Sequence, residues 1–593
     1  MSHAALGQPE LRSLPFVRVP WSCSCRLRQD VHSFRDGPPH PKAHGSPPSR
    51  TMTTEKLIPA LAETHHAPPR RDLSFYLVLF VAVVPIWSVV PLSWGFVVYA
   101  LRYGIVWTFS WRGWCLFALA LSEVFFSVYH YNLTSFISGP SPNSHGNLHE
   151  LRAVFQRVLQ AGLASLPEEG FDEETLDVDR PGSPAESVTS LEFDDPRAVD
   201  FRIYLRTWFG KVPWSSIRRH EMFAWLYWAI FNAPFAGIEK VSQPERKALH
   251  EVIEFLEFRA GCKIPEGSNA AASPLLLTLD PVNVAWRPLV WYAAVTISNA
   301  LIRRRFRTKW GAKIGTYKEL EYVLRIPPTW DALTGPRPVV FMHGLGLGLT
   351  QYRRFIEHIF VALPDHPILV PLLPHVSQEI LHPRYLKPMG RKELSECLAG
   401  LIADLGWADL DVPSPETSDS EDKDVPDKAS SKVPKGVTML SHSNGSFGHA
   451  WLLKAYPKMV TRSCFVDPVT FCSWEGDLCY NFIYRPCTNG LHLIVKYFVG
   501  TELGVANFLQ RHFDWSANCL WYEEIPNARN PKKTMFVLGG NDAIIDANRV
   551  KRYLTSHGVR KGLYFDPDGR HGAALLTCSP YHNDILRWLR DEN

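Results

Sequence analysis

The stretch Val437-Thr-Met-Leu-Ser-His-Ser-Asn-Gly-Ser-Phe-Gly-His449 constrains the fold more than any other. Val437 to Leu440 is a β-prone apolar run, and Phe447 to Tyr456 follows a helical pattern. Between them lies a crowd of small residues. Strand and helix approach closely across so short a turn only if the residues two before and two after its apex are small. Here those are Ser441 and Gly445, with Ser443 at the apex. The residue at such an apex carries a strained backbone and holds its side chain clear of the sheet. The common form of the pattern has glycine where this chain has Ser441.

Three further segments supply what an exposed serine needs. Pro338 to Gly348 is a buried strand running into the glycine-rich turn His343-Gly-Leu-Gly346. Thr534 to Ile545 is a strand ending in Gly-Gly-Asn-Asp, which puts Asp542 at its tip. Gly562 to Gly572 is a strand followed by a loop carrying His571. In chain order these give Ser443, Asp542, His571. On these motifs the chain resembles the α/β-hydrolase superfamily from about Trp310 to Asn593. The resemblance implies a mostly parallel sheet with helices on both faces and a helical cap above the strand ends.

A serine hydroxyl is a poor nucleophile at neutral pH and needs a base within hydrogen-bond reach, the expected role of His571. Asp542 would hold the imidazole tautomer and stabilise its cation. The N–H groups of Asn444 and Leu345 are the expected oxyanion donors. His343, Gly344 and Gly346 would support that loop, with His343 a turn residue rather than a base. Asp467, at the end of the strand after the turn, is the rival acid. Asp546 reads as a helix N-cap. His442 adjoins Ser443 but on a strand points to the opposite face. No metal and no cofactor are expected.

The chain has 593 residues and a net charge of +4, too little for its length to argue for nucleic acid. Its eleven cysteines lack metal-ligand or disulfide-framework spacing and read as reduced thiols. Residues 1–70, rich in Pro, Ser, His and Arg, read as disordered, and either Met1 or Met52 suits as the start. Leu73 to Leu101 then carries no charge and is longer than the roughly 20 residues a helix needs to cross a bilayer. Pro85 and Pro91 are expected to kink it. A second run, Trp114 to Tyr131, contains Glu123, which leaves one or two crossings open within a membrane region 71–135. Tryptophans at the run edges suit an interface, and the arginines barely favour a cytosolic N-terminus. Asn132-Leu-Thr134 is a glycosylation triplet.

Residues 136–309 read as a helical region. It holds an amphipathic helix at His149 to Gly162, an acidic linker over 167–197, and aromatic helices over Asp200 to Lys263. These aromatics are expected to pack a core, with a lipid-facing surface as the alternative. An interfacial helix over 286–302 ends in Arg303-Arg-Arg-Phe-Arg307, which suits anionic headgroups. The α/β domain, 310–593, should carry an early strand at Tyr317 to Ile326, a disordered acidic insertion over 409–435 and a cap over 470–530. Helices are expected in the cap at Leu491 to Val499 and Phe508 to Trp521. The aromatics of the cap imply an apolar pocket. The expectation is a membrane-anchored serine hydrolase, cutting a carboxylic ester of an apolar or lipid substrate from the cytosolic side. An acyltransferase with the same triad, or an idle scaffold, are the alternatives. The membrane runs, the Asp200 to Phe235 region and Asp467-Pro-Val make the chain similar to poorly characterised membrane-anchored α/β-hydrolases of fungi.

Overall fold

The computed structural model describes residues 70–142, 154–155, 157–158, 190–410 and 436–591. The expectations for 1–69, for the linker up to 189 and for 411–435 lie outside them. So does the His149 to Gly162 helix, apart from four residues that are helical.

The charge-free run forms one long helix, α1 (Leu73–Arg102), and the second run forms α2 (Trp111–Ile137). Both are long and apolar enough to cross a membrane. α1 passes through both prolines. A wide π-helical turn at Leu79–Val83 precedes Pro85, where a regular turn would drive the proline ring into the carbonyl of Val81. Val97 and Ala100 pack on Phe117, Ala120 and Val124, and Trp94 Nε1 donates to Ser127 Oγ at 2.9 Å. The two helices thus form a hairpin around a short connection that bears the exposed Trp107.

Glu123 explains itself in three dimensions. Its carboxylate accepts the N–H groups of Leu289 and Val290 at 2.6 and 2.9 Å. Those are orphan donors at the start of a helix, where a negative charge also meets the positive end of the dipole.

From Pro196 the described residues form α3 (Pro196–Leu205), α4 (Arg219–Phe231) and α5 (Gln243–Ala260). Met222, Trp225, Leu226, Trp228 and Phe231 of α4 are buried in one core with cap residues such as Trp474 and Trp521, so the aromatics pack protein rather than lipid. The layer is also tied down by charge. Asp200 accepts from Arg549 and Arg552 at 2.9 and 2.6 Å, and Glu475 accepts from Arg549 at 2.7 Å.

The helix expected over 286–302 starts later and runs further. α6 spans Leu289–Trp310 and runs through the arginine cluster. Arg303 pairs with Glu321 and Glu379, and Arg305 with Glu357, so these two face the body. Arg304 and Arg307 are exposed.

From Lys313 the chain builds one eight-stranded sheet in the order β1-β2-β4-β3-β5-β6-β7-β8. The expected early strand, Tyr317 to Ile326, starts later, as β2 (Leu320–Arg325), and a further strand, β1 (Lys313–Tyr317), precedes it across a turn at Lys318 with φ 51°. Then come β3 (Val339–Met342), α7 (Leu349–Ala362), β4 (Ile368–Leu372) and α8 (Arg391–Asp404). β5 (Val437–His442), α9 (Gly445–Ala455) and β6 (Val460–Val466) follow. Pairing is antiparallel for β1 with β2 and β2 with β4, and parallel for the rest. Alternate residues serve opposite faces: Val339 and Phe341 join one core, Val340 and Met342 the other.

Between β6 and β7 (Thr534–Gly539) the chain leaves the sheet. There it forms α10 (Gly490–Gly500) and α11 (Leu503–Arg511). The expected Phe508 to Trp521 helix is therefore displaced. Glu502 caps α11 early, and Asp514 starts a separate turn, Trp515–Asn518. α12 (Ala547–Ser556), β8 (Leu563–Asp566) and α13 (Pro580–Arg590) complete the chain. Asp546 caps α12 through Arg549 N–H at 3.0 Å. The nine cysteines among the described residues are free thiols.

Candidate active site

Ser443 stands at the turn from β5 into α9 with φ 52°, left-handed backbone that a side chain rarely adopts. Such a conformation costs roughly 1–3 kcal/mol and persists where neighbours over-determine it. Here Ser443 N–H donates to Val466 O at 3.1 Å, and Ser446 returns two bonds to Ser443 O, from N at 2.9 Å and from Oγ at 2.7 Å. A Cβ on Gly445 would fall 2.2 Å from the Met342 carbonyl oxygen, so glycine is required there.

Ser441, where glycine is usual, is fully buried but partnered. Its hydroxyl meets His449 Nδ1 at 2.9 Å, His449 Nε2 meets Ser463 Oγ at 3.1 Å, and the ring stacks on Phe465. Burial pushes the His449 pKa down to about 3, so the ring is neutral and supplies one donor and one acceptor.

The structure brings Ser443, His571 and Asp542 together. His571 Nε2 lies 2.8 Å from Ser443 Oγ, and Nδ1 lies 2.6 Å from Asp542 Oδ2. The other Asp542 oxygen accepts the N–H groups of Ile544 and Ile545 at 2.7 and 3.2 Å. Burial alone would lower the His571 pKa. The charge and hydrogen bond of Asp542 outweigh it, and the pKa stands above the usual imidazole value.

Asp467 does something else. It is 1% exposed, and its two oxygens accept Gly539 N–H at 2.8 Å and Gly572 N–H at 2.7 Å. It thereby clamps the tip of β7 to the loop just past His571. Burial raises its pKa to about 6. Asp467, Asp542 and His571 present ligand atoms close enough together for a metal ion. Both Asp467 oxygens, both Asp542 oxygens and both His571 nitrogens nevertheless have hydrogen-bond partners within the chain.

The glycine-rich turn is braced throughout. Gly344 N–H donates to Tyr352 Oη at 3.0 Å, Gly346 N–H to Val376 O at 3.0 Å, and Leu347 N–H to Gln351 Oε1 at 3.2 Å. Leu345 N–H takes none of these bonds. A Cβ on Gly346, at φ +146°, would strike Gln351. His343 is buried; Leu373 N–H donates to its Nε2 at 3.4 Å, so Nδ1 carries the proton and donates to Gly344 O at 2.9 Å. His442 is not carried away from the site as strand alternation suggests: its ring packs 5.2 Å from that of His571, with Nδ1 2.8 Å from Tyr352 Oη. Tyr352 has no signal in the sequence, since it lies in no recognisable motif; His449 ends the Val437 to His449 stretch, but nothing local shows that its ring joins Ser441 to Ser463.

Two cavities meet at Ser443. The larger, about 750 Å³, is lined by Leu345, Phe482, Leu491, Val495 and Ile544, with Arg354, Lys496, Asp568 and Arg570 among its polar groups. The smaller, about 40 Å³, lies between Leu345, Asn444, Phe447, Phe482 and Phe513. The first is within the ordinary size of a small-molecule site; the second holds little more than one water's share of liquid volume, ~30 Å³.

The strand order, the serine at the β5–α9 turn and the cap between β6 and β7 are those of the α/β-hydrolase fold. No family model and no curated protein matches the sequence. Among solved structures, the chain is similar to a membrane phospholipase A described as a bacterial virulence factor, at 13% identity and TM-score 0.30, over 51% of this chain and 94% of that one. It is also similar to naproxen esterase from Bacillus subtilis, at 12% identity and TM-score 0.31, over 50% and 98%. A third likeness is to an α/β hydrolase from a Medee basin deep-sea metagenome, at 16% identity and TM-score 0.31, over 47% and 98%.

Proposed function

We propose that this chain is a membrane-attached serine hydrolase that cuts carboxylic esters with an apolar portion. The observation that carries the reading is the unbroken relay Asp542–His571–Ser443, at 2.6 and 2.8 Å, opening into a cavity of about 750 Å³. In this mechanism Ser443 Oγ attacks the ester carbonyl while His571 Nε2 takes its proton. Asp542 holds Nδ1–H and stabilises the imidazolium. The N–H groups of Leu345 and Asn444 stabilise the oxyanion. His571 then gives the proton to the leaving alcohol, leaving an acyl-serine. A water, deprotonated by the same nitrogen, releases the acid and restores the hydroxyl.

The larger cavity suits an amphiphilic ester, with its polar part among Arg354, Lys496 and Arg570 and its apolar part between Phe482, Leu491 and Ile544. The hairpin of α1 and α2 attaches the body to a bilayer, with the body on the cytosolic face. Protection of the body from protease in sealed vesicles, or glycan on Asn132, would reverse that face.

Labelling by a fluorophosphonate tests the chemistry. The full chain should label stoichiometrically, and Ser443→Ala should abolish labelling and ester hydrolysis while keeping the melting temperature within a few degrees. Label persisting on the alanine variant would overturn the reading.

A further inference from the structure

Resting on the membrane attachment just proposed, the geometry of the hairpin also fixes how deep the body sits. Its tip carries Arg102, Tyr103, Trp107, Trp111 and Arg112. Arginines and exposed tryptophans belong at a headgroup boundary and not at the bilayer centre. With the tip at the far boundary, α2 leads back towards the body. Glu123 lies about 12 residues beyond Trp111, or about 18 Å along the helix. The hydrocarbon core is about 30 Å thick. Glu123 is therefore still inside the near leaflet when it caps the N-terminus of α6 at Leu289 and Val290. Trp87 of α1 stacks on Trp286 just before that cap, so the body meets both arms of the hairpin below the near surface.

α6 is built for that position. Val290, Ile297 and Leu301 are 50%, 60% and 60% exposed. With Ala294, also exposed, they follow helical spacing on one face. Apart from the exposed Thr296, the polar groups turn to the body: Asn299 Oδ1 accepts from Thr350 N–H at 3.0 Å, and Arg303 pairs with Glu379. The exposed face turns basic only at Arg304 and Arg307. An apolar stripe ending in cations is the profile of a helix that starts in acyl chains and leaves through the headgroups. α1 adds to this. Its exposed apolar side chains continue down to Leu73, about 45 Å of helix against a core of about 30 Å, so the hairpin lies obliquely and sinks its attachment points further. The first turn of α1 also holds the cap: Gly490 N–H donates to Ser74 Oγ at 2.8 Å. That sets α10, whose Leu491, Val495 and Lys496 line the larger cavity, beside the hairpin's base.

We propose that the body is sunk into one leaflet of the bilayer, with α6 entering that leaflet at its N-terminal end and not crossing. The larger cavity then opens at headgroup level, where an ester lipid enters without leaving the membrane.

Full-length protein in phosphatidylcholine–phosphatidylserine vesicles tests this with a photo-crosslinking residue placed singly at 98, 297 or 254, the last on the exposed side of α5. Position 297 should capture phospholipid within about two-fold of position 98, and position 254 less than a tenth as much. Capture at 98 with 297 no better than 254 would overturn the sunken body and leave the hairpin in the membrane. Capture at neither 98 nor 297 would overturn both readings. Separately, the double variant Ile297→Asp, Leu301→Asp should hydrolyse a short soluble ester within two-fold of the parent. On a long-chain ester held in vesicles it should be at least ten-fold slower; equal loss, or no loss, on the two substrates would reject the proposal.

Discussion

The two buried carboxylates near His571 are chemically alike and geometrically distinct. Asp542 bonds the imidazole, whereas Asp467 bonds two backbone amides. Asp542→Asn should cut turnover by up to ~10,000-fold by favouring the wrong tautomer. Asp467→Asn can accept from only one of the two amides and turns an N–H towards the other. It should destabilise the fold by ~1–3 kcal/mol with a much smaller loss in turnover. Steady-state kinetics beside thermal melts would separate the two, and the reverse ranking would exchange their roles. The pH profile follows from the same pair. His571 acts as base only when neutral, so kcat/KM should rise with pH through a midpoint above the ordinary imidazole value. Removing Asp542 should move that midpoint down, since burial then acts on the ring without its partner.

At the scale of elements, the sequence gives the presence of helices and strands more faithfully than their ends. β3, β4 and the β5–α9 turn fall on their expected residues because apolar period and small-residue clustering are local signals. β1 falls outside the expected early strand, Tyr317 to Ile326, because the turn at Lys318 that ends β1 uses no glycine or proline to mark it. Glu123 illustrates the opposite limit. In sequence it is a charge that spoils a membrane run; in the fold it is the cap of another helix. Glu123→Ala strands two N–H groups at the α6 N-terminus and should cost ~1–3 kcal/mol, read as a lowered melting temperature in detergent. Glu123→Gln keeps one acceptor and should fall between the alanine variant and the parent.

For the whole molecule, α2 belongs as much to the body as to the hairpin. Phe126 and Ile137 pack with Tyr292, Tyr385 and Leu503, and Arg511 donates to Ile137 O at 3.0 Å. Glu502, fully buried, receives the hydroxyls of Tyr292 and Tyr385 and caps α11, joining α6 to the cap. The full chain should sediment with membranes and resist carbonate and high salt. A chain starting at Asn132 should lose that behaviour and also melt earlier, because it lacks Glu123 and Phe126. Release of the full chain by carbonate would reject the anchor.

The sequence by itself determined the local events. It placed an alternation of strand and helix from Trp310 onward, a tight turn at Ser443 enforced by Gly445, an uncharged run long enough to cross a membrane, and the order of serine, aspartate and histidine. Each depends on residues near one another in the chain, where period, size and charge act directly. The tertiary structure alone decided which carboxylate meets His571, what houses Ser441, which arginines of α6 face the body, and why a glutamate sits within an apolar helix. The partners lie 29, 8, 76 and 166 residues apart in the chain, and the sheet order, the turn of β5 into α9 and the docking of α2 and α6 bring them within about 3 Å. No periodicity reports that proximity, because hydrogen bonds and ion pairs are selected by distance in space.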